Sequence, residues 1–148
     1  MAPGDHRQVT ILMIEDDLGH ARLIEKNIRR AGVMNEIVHA ADGTSALENL
    51  RKGIGPSHRP FLVLLDLNLP DMSGTTILEH LKSDPDLRRF PVIVLTTTDD
   101  EREIQRCYDL GANVYITKPV DYEAFTTAIR QLGLFLAVMQ VPQADDQA

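Results

Sequence analysis

The sequence predicts an α/β domain: a doubly wound, five-stranded parallel sheet in the order 2-1-3-4-5, with helices on both faces. Three observations carry this. Short, nearly continuous apolar runs alternate with segments whose apolar residues recur at helical spacing. The alternation repeats through the chain, and right-handed crossovers then favour a sheet covered on both sides. The length, 148 residues, leaves room for one such unit at roughly 150 residues per domain.

Residues Met1–Gln8 are polar and read as a disordered lead-in without a secretory h-region. Val9–Ile14 is the first apolar run, stopped by Glu15-Asp16-Asp17. A helix follows to about Ala31, with Ala21, Ile24 and Ile28 on one face and Gly32 as its stop. Glu36–Ala40 forms strand 2, and Ala46, Leu47 and Leu50 mark the second helix. Gly53–Pro60 is a loop, Phe61–Leu65 is strand 3 ending at Asp66, and Leu69–Gly74 is a second loop. Ile77, Leu78 and Leu81 mark the third helix, and Pro91–Leu95 is strand 4, ending at Thr96-Thr97-Thr98. Asp99 is placed to cap the fourth helix, which Gly111 closes; Val114–Thr117 is strand 5, and Asp121 opens the fifth helix.

Composition excludes several classes of function. The net charge of −7 argues against binding nucleic acid or anionic membranes, both of which reward Lys and Arg. One cysteine excludes an internal disulfide and a Cys-rich zinc site. No apolar run approaches the ~20 residues that span a bilayer. The expectation is a soluble protein of a reducing compartment, the cytoplasm.

In an open α/β sheet, ligands bind beyond the carboxyl ends of the strands, where the strand order reverses. Strand 1 ends in Glu15, Asp16 and Asp17, strand 3 in Asp66, strand 4 in Thr96 and strand 5 in Lys118. Taken singly, each has a plainer reading. Asp16 or Asp17 suits a helix N-cap, Asp66 a turn, Thr96 a β-propensity position and Lys118 a solvated charge. Jointly they bring carboxylates, a hydroxyl and an amine to one rim. Clustered carboxylates recruit a cation, and few hard oxygen ligands suit Mg2+ with waters retained. Carboxylate nucleophile, Mg2+ and lysine are the parts for phosphoryl transfer to an aspartate.

These residues resemble the response-regulator receiver domain of bacterial two-component signalling, over about residues 9–132. The resemblance implies a flavodoxin-like fold with Asp66 as phosphoacceptor and Mg2+ as cofactor. It implies Asp16 as direct metal ligand, Glu15 as a ligand through water, and Asn68 as a ligand through its backbone carbonyl. Thr96 is then the switch hydroxyl, expected to turn inward on phosphorylation, and Tyr115 the aromatic switch residue. Lys118 contacts the phosphoryl group, through a bond to Pro119 expected to be cis. Leu69-Pro70 and Gly74 match the loop after the acceptor. The DNA-binding subfamily carries two aspartates where this chain has Asn113 and Val114, and no DNA-binding output domain is expected here. The link Ser83-Asp84-Pro85 to Arg89-Phe90-Pro91, the triple Thr and a tail ending Val141-Pro142 resemble stand-alone receivers that partner bacterial phytochrome kinases.

Other functions fit less well. Haloacid-dehalogenase-like phosphatases place their nucleophile after the first strand with a second acid two residues on, whereas Asp66 follows the third strand and Asn68 is no acid. A degenerate receiver would be expected to lack part of the constellation. A nucleotide or flavin binder would need a Gly-rich loop after strand 1. The expectation is a phosphoacceptor fed by a histidine kinase, not an enzyme.

The remaining features read as structural. Cys107, Met13 and Met72 suit packing, the histidines show no ligand spacing, and Arg29-Arg30 and Arg88-Arg89 suit solvated pairs. Beyond Leu132, residues 133–148 form an apolar extension and a polar tail. Phe125, Ile129, Leu132, Leu136 and Met139 make one helical stripe; Leu134, Val138 and Val141 make another. Two apolar faces predict a homodimer through this segment and the adjoining helix 4, strand 5 and helix 5 surface, whether Gly133 continues the helix or turns it into an arm.

Overall fold

A computed structural model describes residues 9–53, 60–119 and 121–138, with side chains described up to Leu134. The lead-in expected over residues 1–8, most of the loop expected over 53–60, the side chains of Leu136 and Val138, and residues 139–148 lie outside it. The elements alternate as expected: β1 (Thr10–Ile14), α1 (Leu18–Arg30), β2 (Ile37–Ala40), α2 (Gly43–Lys52), β3 (Phe61–Leu65), α3 (Gly74–Ser83), β4 (Val92–Thr96), α4 (Glu101–Leu110), β5 (Val114–Thr117) and α5 (Tyr122–Val138). The sheet order is β2-β1-β3-β4-β5, all parallel.

Strands buried on both faces read as nearly continuous apolar runs, and β1, β3 and β4 are such runs, with polar Thr10 and Thr96 only at strand ends. Their alternate side chains split into two cores. Leu12, Ile14, Val63, Leu65, Val92 and Val94 face α2, α3 and α4. Ile11, Met13, Leu62, Leu64, Ile93 and Leu95 face α1 and α5. The α5 stripe Phe125, Ile129 and Leu132 is buried against α1 and the sheet, worth roughly 1.5–3 kcal/mol per side chain. α4 buries only Cys107, so it is the least anchored helix.

Helices begin and end where local chemistry dictates. Asp17, Asp42 and Ser73 cap α1, α2 and α3 by accepting a backbone N–H. The α4 cap is Asp100, one residue later than expected, because its carboxylate takes the Arg102 N–H at 2.9 Å. Gly32 (φ 89°) and Gly111 (φ 111°) adopt the left-handed conformation that ends α1 and α4. Arg29 is not a solvated charge: its guanidinium donates to the Val33 and Asn35 carbonyls at 3.0 and 2.7 Å and ties down the turn after α1. Arg89 lies 5.0 Å from the centre of the Phe90 ring. α5 runs straight through Gly133, so the extension is helical as far as Val138. Among the described residues, no helix is long and apolar enough to cross a membrane.

Candidate functional site

The switch between strands 1 and 3 puts the ends of β1, β3, β4 and β5 side by side, and the expected residues meet there. Asp66, Thr96, Glu15 and Lys118 are all buried, while Asp16 is exposed at their edge. The Thr96 hydroxyl donates to Asp66 Oδ1 at 2.8 Å, and the Asn68 N–H adds a second bond to that oxygen at 3.1 Å. Lys118 Nζ takes the other oxygen, Oδ2, at 3.2 Å, and also donates to Glu15 Oε1. Glu15 Oε2 accepts the Asp17 N–H at 3.1 Å. Thr96 is thus already turned inward, in contact with the residue that the resemblance has it approach only after phosphorylation.

The electrostatics follow from burial. Desolvation pushes the Glu15 carboxyl up to about 7, with the Asp66 charge adding to it and Lys118 opposing it. Carboxylate oxygens of Glu15, Asp16 and Asp66 all lie within 4.8 Å of one another. That donor set, all hard oxygens with no His or Cys, fits a small divalent cation that keeps several waters.

The loop after β3 shapes the outer wall. Gly74 is needed there: a Cβ would sit 2.6 Å from both the Asp66 carbonyl oxygen and Leu67 Cα. Asp71 reaches across to α2, accepting the N–H groups of Gly43 and Thr44 at 2.8 and 2.9 Å and the Thr44 hydroxyl at 2.7 Å. These bonds hold its carboxyl down at about 2. Asn68 turns its amide toward the Thr96 and Thr97 hydroxyls, at 3.3 and 3.5 Å.

One expectation needs revision. The bond to Pro119 is not cis; no peptide is, among the described residues. The trans form is the default even before proline, and β5 brings Lys118 to the rim without the isomer, its N–H bonded to the Thr96 carbonyl at 2.6 Å. Two histidines, without metal-ligand spacing, also reach the rim. His39 Nε2 meets the Glu15 carbonyl at 2.6 Å, and His20 Nδ1 lies 3.3 Å from Lys118 Nζ. The available signal was position: His39 is near the end of β2 and His20 is in the first turn of α1, both at the carboxyl edge.

Tyr115 lies outside this cluster. Its hydroxyl donates to the Thr98 carbonyl at 2.5 Å, and its N–H donates to the Tyr108 hydroxyl at 3.1 Å. Burial pushes its own hydroxyl up to about 12. It therefore ties β5 to the segment between β4 and α4.

Comparison with known proteins agrees with this geometry. The response regulator receiver domain family matches residues 11–130. A receiver domain from Rhodospirillum rubrum, solved by crystallography, is 68% identical, with a TM-score of 0.87 over 92% of this chain and 99% of that one. Response regulator Rcp1 of Synechocystis is 38% identical over 110 residues, 73% of this chain and 75% of Rcp1. The crystal structure of the Mn2+-bound form of Rcp1 matches with a TM-score of 0.82 at 30% identity, over 91% and 99% of the two chains. The phosphorylated cyanobacterial phytochrome response regulator RcpA matches with a TM-score of 0.81 at 36% identity, over 93% and 99%. The chain belongs to the response-regulator receiver family, and its relatives include phytochrome response regulators.

Proposed function

We propose that this receiver accepts a phosphoryl group on Asp66 from the phosphohistidine of a histidine kinase, and that the kinase is of the phytochrome type. The observation that carries the reading is the buried Asp66 carboxylate, with Thr96 on one oxygen and Lys118 on the other. A carboxylate oxygen of Asp66 attacks phosphorus, the phosphorus–nitrogen bond to the kinase histidine breaks, and an acyl phosphate remains. Water later cleaves the phosphorus–oxygen bond of the acyl phosphate, releasing inorganic phosphate and returning the carboxylate, so the chain is an acceptor that resets itself and not an enzyme for a diffusible substrate. Lys118 and Thr96 are placed to receive the new phosphoryl oxygens. The residues fit Mg2+ held by Asp16, Asp66 and the Asn68 carbonyl, with Glu15 acting through water. When bound, the ion neutralises charge on the transferring group.

The phytochrome partner is supported by the similarity to RcpA, and metal dependence by the Mn2+-bound Rcp1. The exposed Leu134, on a helix that continues to Val138, supports a homodimer through the C-terminal segment and the α4, β5 and α5 face. Light scattering at twice 16.5 kDa, reduced to one copy by truncation after Gly133, is the outcome this requires.

The phosphoryl reading is tested by incubating wild type and Asp66→Asn with a phosphorylated phytochrome kinase, and separately with acetyl phosphate, in Mg2+. Wild type takes up label and the variant takes none. Equal labelling of the two removes Asp66 as the acceptor.

A further inference from the structure

The Lys118 ammonium has three N–H donors and no acceptor, and it faces three acceptors: Glu15 Oε1, Asp66 Oδ2 at 3.2 Å and His20 Nδ1 at 3.3 Å. With the ammonium as donor, Nδ1 is the acceptor of this contact and the imidazole hydrogen sits on Nε2; Nδ1 also lies 3.9 Å from Asp17 Oδ2, beyond hydrogen-bond distance. His20 is well placed to hold this role. Its N–H is bonded to the Asp17 cap at 3.0 Å, and its ring lies against Phe125 with centroids 5.5 Å apart. It thereby links the first turn of α1, the end of β5 and the start of α5.

Of the three acceptors, one would be consumed by phosphoryl transfer and one would be shared with the cation site. Asp66 becomes the acyl phosphate, and Glu15 belongs to the metal-binding acids. Only His20 keeps its chemistry throughout. We propose that His20 is a positioning residue for Lys118: its Nδ1 lone pair keeps the ammonium on the rim beside Asp66 as the carboxylate becomes the acyl phosphate. This rests on the reading of Asp66 as the phosphoacceptor. Loss of the acceptor frees the lysine to turn toward solvent, because the His20 side chain is 41% exposed and water reaches that side.

Three variants separate hydrogen bonding from packing. His20→Phe keeps an aromatic ring against Phe125 without an acceptor, and His20→Leu is a second variant without one. His20→Asn removes the ring but offers Oδ1 near the place of Nδ1. In the unphosphorylated protein, the Lys118 Cε resonance moves in the Phe and Leu variants and returns toward the wild-type position in the Asn variant. With acetyl phosphate and Mg2+, the Phe and Leu variants label about tenfold more slowly, and Asn restores the rate to within about threefold. Wild-type resonance and rate in both the Phe and Leu variants overturn the proposal. So does an Asn variant that folds yet is as impaired as Phe, since the contact is then packing alone. If wild type takes no label, the acceptor reading fails, and the Lys118 resonance still decides whether His20 positions the ammonium.

Discussion

Thr96 Oγ1 and Asp66 Oδ1 are 2.8 Å apart at the ends of adjacent strands, and both residues are buried. A buried carboxylate oxygen needs donors, and only the Asn68 N–H shares this one with Thr96 among the described residues. Thr96→Val keeps the shape and removes the hydroxyl. Hydrogen bonds to charged groups contribute about 1.5–3 kcal/mol, so the variant is expected to lose stability of that order in urea unfolding. Thr96→Ser keeps the donor and is expected to stay closer to wild type in both stability and labelling.

The three carboxylates of the acidic cluster repel one another, and a bound divalent ion relieves this. At a metal concentration about ten times its dissociation constant, linkage adds roughly 1.4 kcal/mol of stability. Mg2+ is therefore expected to raise the melting temperature of wild type, and EDTA to reverse the rise. Asp16→Asn, which removes the exposed acid of the set, is expected to melt at one temperature with or without the ion. Scanning calorimetry in the two buffers checks this.

Asp71 is legible in the sequence as a loop residue but not as a clamp on α2, and the distinction shows what sequence pattern can carry. The apolar runs end at Glu15, Asp66, Thr96 and Lys118 because buried parallel strands tolerate polar residues only at their ends. The sheet order then follows from connection rules. The contacts of Asp71 with Gly43 and Thr44, or of His20 with Lys118, join elements remote in sequence, and no local period records them. The Pro119 isomer escapes the sequence for a related reason: the two forms differ by only about 0.5–1 kcal/mol in an unfolded chain, so tertiary context decides.

The Asp71 clamp has a pH signature. Its carboxyl is held at about 2 by the Thr44 hydroxyl first and the N–H groups of Gly43 and Thr44 next, below the ordinary 3.8. A depressed folded value means that its contribution is complete above the unfolded value and is lost as pH falls toward 2. Asp71→Ala is expected to melt below wild type at pH 6, with the difference shrinking between pH 4 and pH 2. A difference that stays constant across that range would place the effect elsewhere.

Gly133 sets two local preferences against each other. It lies within α5, where alanine would be favoured by about 1 kcal/mol on helix propensity alone. Yet a Cβ there would come 2.7 Å from the Ala31 Cβ at the end of α1, with the Asn27 carbonyl oxygen at 3.3 Å and Ile28 Cα at 3.4 Å. Overpacking between well-packed elements costs about 1–3 kcal/mol, so crowding outweighs propensity and Gly133→Ala is expected to be destabilising. The worst contact is with a methyl group that can itself be removed. Ala31→Gly in the same chain clears it and leaves only the two looser contacts, so the double variant is expected to regain most of the stability lost by Gly133→Ala. Chemical denaturation of the four proteins in this cycle gives the coupling directly. A Gly133→Ala chain as stable as wild type would mean that α5 shifts away from α1 without loss, and additive effects of the two changes would mean that the Ala31 contact is not what excludes a side chain.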